Sequence, residues 1–147
     1  MRLFHAITLI LLCNAACAQA CWDAAAARYD VNRDILRSIS YVESRFTQTT
    51  SKPNSNGTRD VCHMQVNSGH FGYLRTRGIT EQTLLQNPCV CTEVGAWVLA
   101  TCQERFGNTW EAVGCYNAGS APNRRALRLR YARLVRNAYQ ALTSEQQ

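Results

Sequence analysis

The chain is 147 residues long and 46% hydrophobic, with 16 lysines and arginines against 10 aspartates and glutamates, and eight cysteines. That length suits one compact domain and excludes two of ordinary size. The mild basic excess suits an anionic polymer or surface, without by itself naming nucleic acid, lipid or cell wall.

Met1-Arg2 is a short positive start, Leu3 to Leu12 is largely apolar, and Ala18-Gln19-Ala20 supplies an A-x-A cleavage signal. Residues 1–20 read as a removable secretory signal peptide whose apolar run is too short for a stable membrane anchor. Lipid attachment at Cys17 or Cys21 lacks a leucine three residues before either cysteine. Cleavage leaves residues 21–147 as a periplasmic or secreted domain with 15 basic and 10 acidic side chains and six cysteines. An even set in an exported chain predicts disulfides, with the pairing open. The close pair Cys89 and Cys91 has no histidine pair to complete a zinc site, and His63 and His70 each stand alone, so no metal and no cofactor are expected.

The alanine-rich run Cys21 to Tyr29 predicts a short helix that carries Trp22 inward. Asn32 to Phe46 reads as an amphipathic helix, with Asn32 as N-cap and Asp34 in the first turn. Ile35, Ile39, Val42 and Phe46 share one face. Glu43 falls on the Leu36/Ile39 side, inside the apolar sector, where a carboxylate is costly unless paired or protonated. It is either a buried functional acid or an edge residue that reaches water or pairs with Arg37. Thr47 to Arg59, with Pro53 and Asn56-Gly57, reads as a loop or hairpin turn, beside a site or simply solvated. Val61 to Val66 reads as a short strand, and Ser68 to Gly78 as a short helix.

Thr80 caps another turn, broken at Asn87-Pro88. Val90 to Phe106 is the second strong helix, with Val94, Trp97, Val98 and Thr101 on one side and Gly107 as its stop. Asn108 and Glu111 suggest a capping box for a helix over Thr109 to Asn117, ended at Gly119. The last helix, Arg124 to Leu142, has an apolar face of Leu127, Tyr131, Leu134, Ala138 and Ala141, with arginines on the rest. Nothing divides the chain, so one mainly α domain with at most a short β-hairpin is expected.

Four pieces stand in order: Glu43-Ser44, Met64-Gln65-Val66-Asn67, Trp110-Glu111-Ala112-Val113-Gly114 and Tyr116-Asn117-Ala118-Gly119. Together they resemble the lytic transglycosylases, lysozyme-like enzymes that cut peptidoglycan. The closest resemblance is to the small specialised members that accompany type III and type IV secretion and conjugation systems. Those also carry a cysteine just after the signal peptide, a Pro-Cys step and an arginine-rich terminal helix. Two positions depart from the family pattern: Cys62 stands where glycine is usual, and Cys115 where alanine is usual.

The resemblance implies a lysozyme-like domain over residues 21–147 that cleaves the MurNAc–GlcNAc β-1,4 bond and leaves 1,6-anhydromuramyl ends. It implies Glu43 as the catalytic acid, Met64, Gln65, Asn67, Tyr116 and Asn117 as substrate contacts, and Ser44 as support for the helix or the carboxylate. Peptidoglycan strands are the implied partner, with components of a secretion or conjugation apparatus as further partners; neither nucleic acid nor stable membrane insertion is expected. A hydrolytic muramidase and a catalytically idle glycan-binding assembly module are the alternatives. No acid lies between Ser44 and Arg59, so unless Asp60 faces Glu43 the substrate's own groups must complete the reaction. The resemblance also brings Cys62 and Cys115 together beside Glu43. A Cys62–Cys115 disulfide is therefore expected, with Cys21–Cys89 as a separate staple. Cys91 in place of Cys89, and a Cys102–Cys115 bond, are the rivals.

Overall fold

The computed structural model describes residues 21–145, so the expected signal peptide lies outside the described residues. The chain is helical over residues 21–29 (α1). There follow α2 (Arg33–Ser44), α3 (Phe71–Thr76), α4 (Glu81–Gln86), α5 (Pro88–Phe106), α6 (Trp110–Ala118) and α7 (Arg125–Ser144). The sheet is one antiparallel hairpin, β1 (Asp60–Val61) with β2 (Val66–Asn67). The mainly α architecture with a short hairpin agrees with the sequence reading.

α2 starts where its cap dictates: the Asn32 side chain accepts from the backbone N–H groups of Asp34 and Ile35, each at 2.9 Å. It ends at Arg45, which takes a left-handed conformation at φ 54° and donates its N–H to the Ser40 and Tyr41 carbonyls. Phe46 therefore lies beyond the helix and is 42% exposed. The buried face is Leu36, Ser38, Ile39 and Ser40, rotated away from the expected Ile35–Val42–Phe46 line. That rotation turns the next residue of the face, Glu43, towards the interior.

α5 is the central helix. Asn87 caps it and Pro88 opens it, two residues before the expected start, because proline tolerates the first helical position. It buries Cys91, Val94, Gly95, Ala96 and Leu99, joining Leu36, Ile39, Met64, Leu84 and Val135 in the core. α6 is capped by Thr109, whose hydroxyl accepts from Ala112 N–H at 3.3 Å, and not by Asn108.

α7 packs on α6 and along α2. A Cβ at Gly114 would lie 2.1 Å from the Arg128 carbonyl oxygen, so the two helices approach as only glycine allows. That contact sets the rotation of α7: Arg128, Tyr131, Ala132, Val135 and Ala138 are buried, whereas Leu127 and Leu134 are 49% and 51% exposed. The expected apolar face is thus corrected by one position. Buried Arg128 is neutralised by Glu111 at 2.9 Å and donates to the carbonyls of Gly119 and Ala121, which meets the cost of burying a charge.

Three disulfides join Cys21 to Cys89, Cys62 to Cys91 and Cys102 to Cys115. The expected Cys62–Cys115 bond is not formed. α5 contacts both β2 and α6, and it intercepts both cysteines: Cys62 lies 6.3 Å from Cys91 and Cys115 5.8 Å from Cys102, Cα to Cα. Cys62 also explains the missing glycine. Its φ is 65°, a left-handed conformation that glycine adopts freely and cysteine does not, and here a covalent bond to α5 holds it.

Candidate active site

α2, the hairpin, α5, α6 and the turn after α6 enclose a cleft of about 1110 Å³. Glu43 lies on its wall, half-buried, in the last turn of α2. Its carboxyl pKa is raised to about 6, first by burial and then by the negative charge of Asp60, against the hydrogen bonds of Tyr131 and Asn117, which favour the charged form. About one molecule in ten therefore still carries the acid proton at pH 7, and half do at about pH 6, far more than an ordinary glutamate allows.

Tyr131, from α7, donates to Glu43 Oε1 at 2.5 Å. Burial and the Glu43 charge hold its phenol well above its ordinary pKa, so it stays a donor. The phenol thereby orients the carboxyl on the wall of the cleft. The resemblance implied Tyr116 as a substrate contact. In the structure Tyr116 lines the cleft but its hydroxyl donates to the Met64 carbonyl at 2.7 Å, bracing the hairpin against α6. Tyr131 was legible only as an apolar-face residue of the last helix; the signal available was that a buried phenol needs a hydrogen-bond partner.

The hairpin supplies the opposite wall. Gln65 and Asn67 line the cleft together with Asp60. Gln65 sits at φ 50° and its amide nitrogen donates to the Cys62 carbonyl at 2.8 Å, leaving the amide oxygen for a ligand. Asn67 is more constrained: its Nδ2 donates to Asp60 Oδ1 at 2.8 Å and its Oδ1 accepts from Gly69 N–H at 2.9 Å. Asn54 donates to the other Asp60 oxygen at 3.1 Å. Two side-chain amides thus fix the carboxylate of Asp60 in the cleft that holds Glu43, which answers the question the sequence left open.

Met64 is also corrected. It is fully buried and packs on α5, where a Cβ at Gly95 would meet Met64 Cε at 2.5 Å, so it is core and not an apolar floor for a sugar. Asn117 is exposed on α6 and lies beside the Glu43 carboxylate on the cleft lining. Ser44 does not touch that carboxylate; its hydroxyl donates to the His63 carbonyl at 2.7 Å and accepts from Thr47 N–H at 3.0 Å, tying the end of α2 to the hairpin.

His63 is a bridge. Ser40 lies 2.8 Å from its Nδ1 and the Pro88 carbonyl 3.1 Å from its Nε2, so the ring spans α2 and the start of α5. Burial lowers its pKa. Among the described residues no three His, Cys, Asp or Glu side chains converge to hold a metal ion, and no helix is long and apolar enough to cross a membrane.

Comparison with known proteins places this arrangement. Residues 20–138 match the family model of the transglycosylase SLT domain. The chain is 36% identical over 125 residues to Protein IpgF of Shigella flexneri, covering 85% of this chain and 82% of that one. It is 38% identical over 143 residues to Invasion protein IagB of Salmonella typhimurium, covering 97% and 89%. It is 36% identical over 146 residues to X polypeptide of Escherichia coli K12, covering 95% and 83%. Matched over nearly its whole described length, and carrying a half-buried acid on α2 that faces the hairpin and the α6–α7 pair, the chain belongs to the transglycosylase SLT family, as a specialised lytic transglycosylase.

Proposed function

We propose that the protein is an active peptidoglycan lytic transglycosylase that cuts the MurNAc–GlcNAc β-1,4 bond. The observation that carries this reading is Glu43, a half-buried acid with its pKa raised to about 6 on the wall of a cleft large enough for a glycan strand. A binding module has no need of such an acid.

Glu43 donates its proton to the bridging oxygen, and the bond to the anomeric carbon breaks as positive charge develops there. The Asp60 carboxylate, held by Asn54 and Asn67, stabilises that charge electrostatically. Glu43, now ionised, takes the proton of the muramyl 6-hydroxyl, whose oxygen closes on the anomeric carbon and gives the 1,6-anhydro end. Gln65 and Asn117 orient the sugars from the two walls. Tyr131 positions the acid and steadies its charged form between the two steps.

Asp60 favours a second reading. A carboxylate across the bond from the acid can also serve as nucleophile or as base for water, giving a reducing muramic acid end. Mass analysis of the soluble products from purified peptidoglycan separates the two, because the anhydro product is one water lighter. Anhydro ends are expected; reducing ends as the main product would move the protein to hydrolysis, and no release at all would leave the idle binding module.

The wider role follows the relatives. One is named an invasion protein, which supports local opening of the wall for a secretion or transfer apparatus. Residues 1–20 are proposed to direct export and be removed, leaving a periplasmic or secreted domain stapled by three disulfides.

A further inference from the structure

Trp97 of α5 has two sides. One lines the cleft that holds Glu43, and the other lines a separate hollow of about 300 Å³ between α1, α3 and α5. The floor of that hollow is apolar, with Leu74, Ile79 and Val94. Tyr73 stacks on Trp97 at 5.0 Å with the rings 16° apart, and is itself 46% exposed. The rim carries two guanidinium groups and one carboxylate, but they are not equally occupied. Arg28 is paired with Glu93 at 2.6 Å. Arg77 has no carboxylate partner among the described residues; it donates to the Tyr73 hydroxyl at 3.0 Å, with its guanidinium 5.3 Å from the Tyr73 ring.

This chemistry selects among ligands. A pyranose ring needs an open aromatic face, and Tyr73 and Trp97 spend facing surfaces on each other. A phosphate needs several converging donors, and Glu93 repels a doubly charged group. A single free guanidinium beside an apolar floor, with a carboxylate nearby to accept from an N–H or an ammonium group, suits a short peptide carrying a carboxylate.

We propose that this hollow binds the acidic peptide branch of the strand whose sugars occupy the cleft, with Arg77 pairing a peptide carboxylate and Tyr73 and Leu74 covering its apolar part. The proposal rests on the reading of the cleft as a peptidoglycan site. Trp97 lines both pockets, so a strand in the cleft delivers its branch to the hollow without a second encounter.

The test compares intact wall strands with strands whose peptides have been removed by an amidase, for the wild type, Arg77→Ala and Arg77→Glu. For peptide-bearing strands, KM is expected to rise about three- to fivefold in Arg77→Ala, the worth of an exposed ion pair, and further in Arg77→Glu, with kcat unchanged. For stripped strands neither substitution is expected to matter. A rise on both substrates, or on neither, overturns the proposal. If the wild type cleaves neither substrate, the reading of the cleft fails, and binding of the isolated acidic peptide then decides separately. Shifts of the Tyr73 and Trp97 ring signals that vanish in Arg77→Ala support the hollow; no shifts in the wild type refute it.

Discussion

The two walls that face Glu43 are built by opposite means. The hairpin wall has almost no regular structure: Cys62 and Gln65 hold left-handed backbone, Gln48 bonds the His63 N–H and the Leu84 and Leu85 carbonyls, and a disulfide pins the turn to α5. The helical wall has no strained backbone among α6 and α7; it is placed by the Gly114–Arg128 approach and the Arg128–Glu111 pair. Each wall has one disulfide to α5; beyond it, the hairpin wall is held by side-chain bonds to irregular backbone, and the helical wall by a close helix approach around one buried ion pair. The difference matters for chemistry. The bonded wall presents polar groups at fixed positions, Asp60 above all, while the packed wall brings Tyr131 to the acid from the far end of the chain.

The largest effect is expected where the walls meet. Glu43→Gln should lower lytic turnover by about 1000-fold or more, since the amide cannot donate the proton. Retained turnover in a folded variant would falsify its role as the acid. The same substitution sharpens the electrostatic side. The folded-state pKa is raised from an unfolded value near 4.5 to about 6, so the native state loses stability as pH climbs through that window. Above it, the charged form costs about 2 kcal/mol. Glu43→Gln should be more stable than the wild type by about that amount at pH 7 to 8, and show little advantage below pH 4.5, in paired denaturant titrations. Wild-type activity should fall as pH rises through about 6.

Packing and bonding can be set against each other with one methyl group. Gly114→Ala places a Cβ against the backbone of Arg128, which cannot yield without moving α7, and should cost about 3 kcal/mol. Gly95→Ala meets Met64 at Cε, Cγ and Cβ, 2.5, 2.9 and 3.1 Å away; this is a flexible side chain that can repack and not backbone, so the change should cost less, about 2 kcal/mol. Equal unfolding midpoints for the two variants would erase the distinction between the walls.

The smallest effect tests how the packed wall reaches the chemistry. Tyr131→Phe removes the donor to Oε1, which favours the charged form of Glu43. The alkaline limb of the pH profile should move upward while turnover at the optimum falls about tenfold. A fall in rate with an unmoved limb would mean that the phenol merely fills space.

The packed wall was the less legible of the two. Asn32 and the spacing of Leu36, Ile39 and Glu43 located α2 and its odd acid, because capping and periodicity are local properties. The helices around Gly107 and Gly119 were likewise visible in outline. The rotation of α7 was not, since Leu127 and Leu134 look as apolar as Val135, and only the Gly114 contact decides between them. Tyr131 was hidden for the same reason. On the hairpin, Gln65 and Asn67 were found through the resemblance, but Met64 shared their motif and was drawn into the cleft with them. Its burial depends on Gly95, distant in the sequence. Asp60 was named but could not be placed, because whether it faces Glu43 depends on a two-residue register, Asp60 opposite Asn67.

α5 supplies one sulfur to each of the three disulfides, and their partners lie on α1, the hairpin and α6. Every peptide bond between Cys21 and Cys91 is therefore bypassed by a covalent detour. A protease that nicks the polar 47–59 loop opens the backbone beside the cleft, yet the two pieces stay one molecule until a reductant parts them. Scission and loss become separate events.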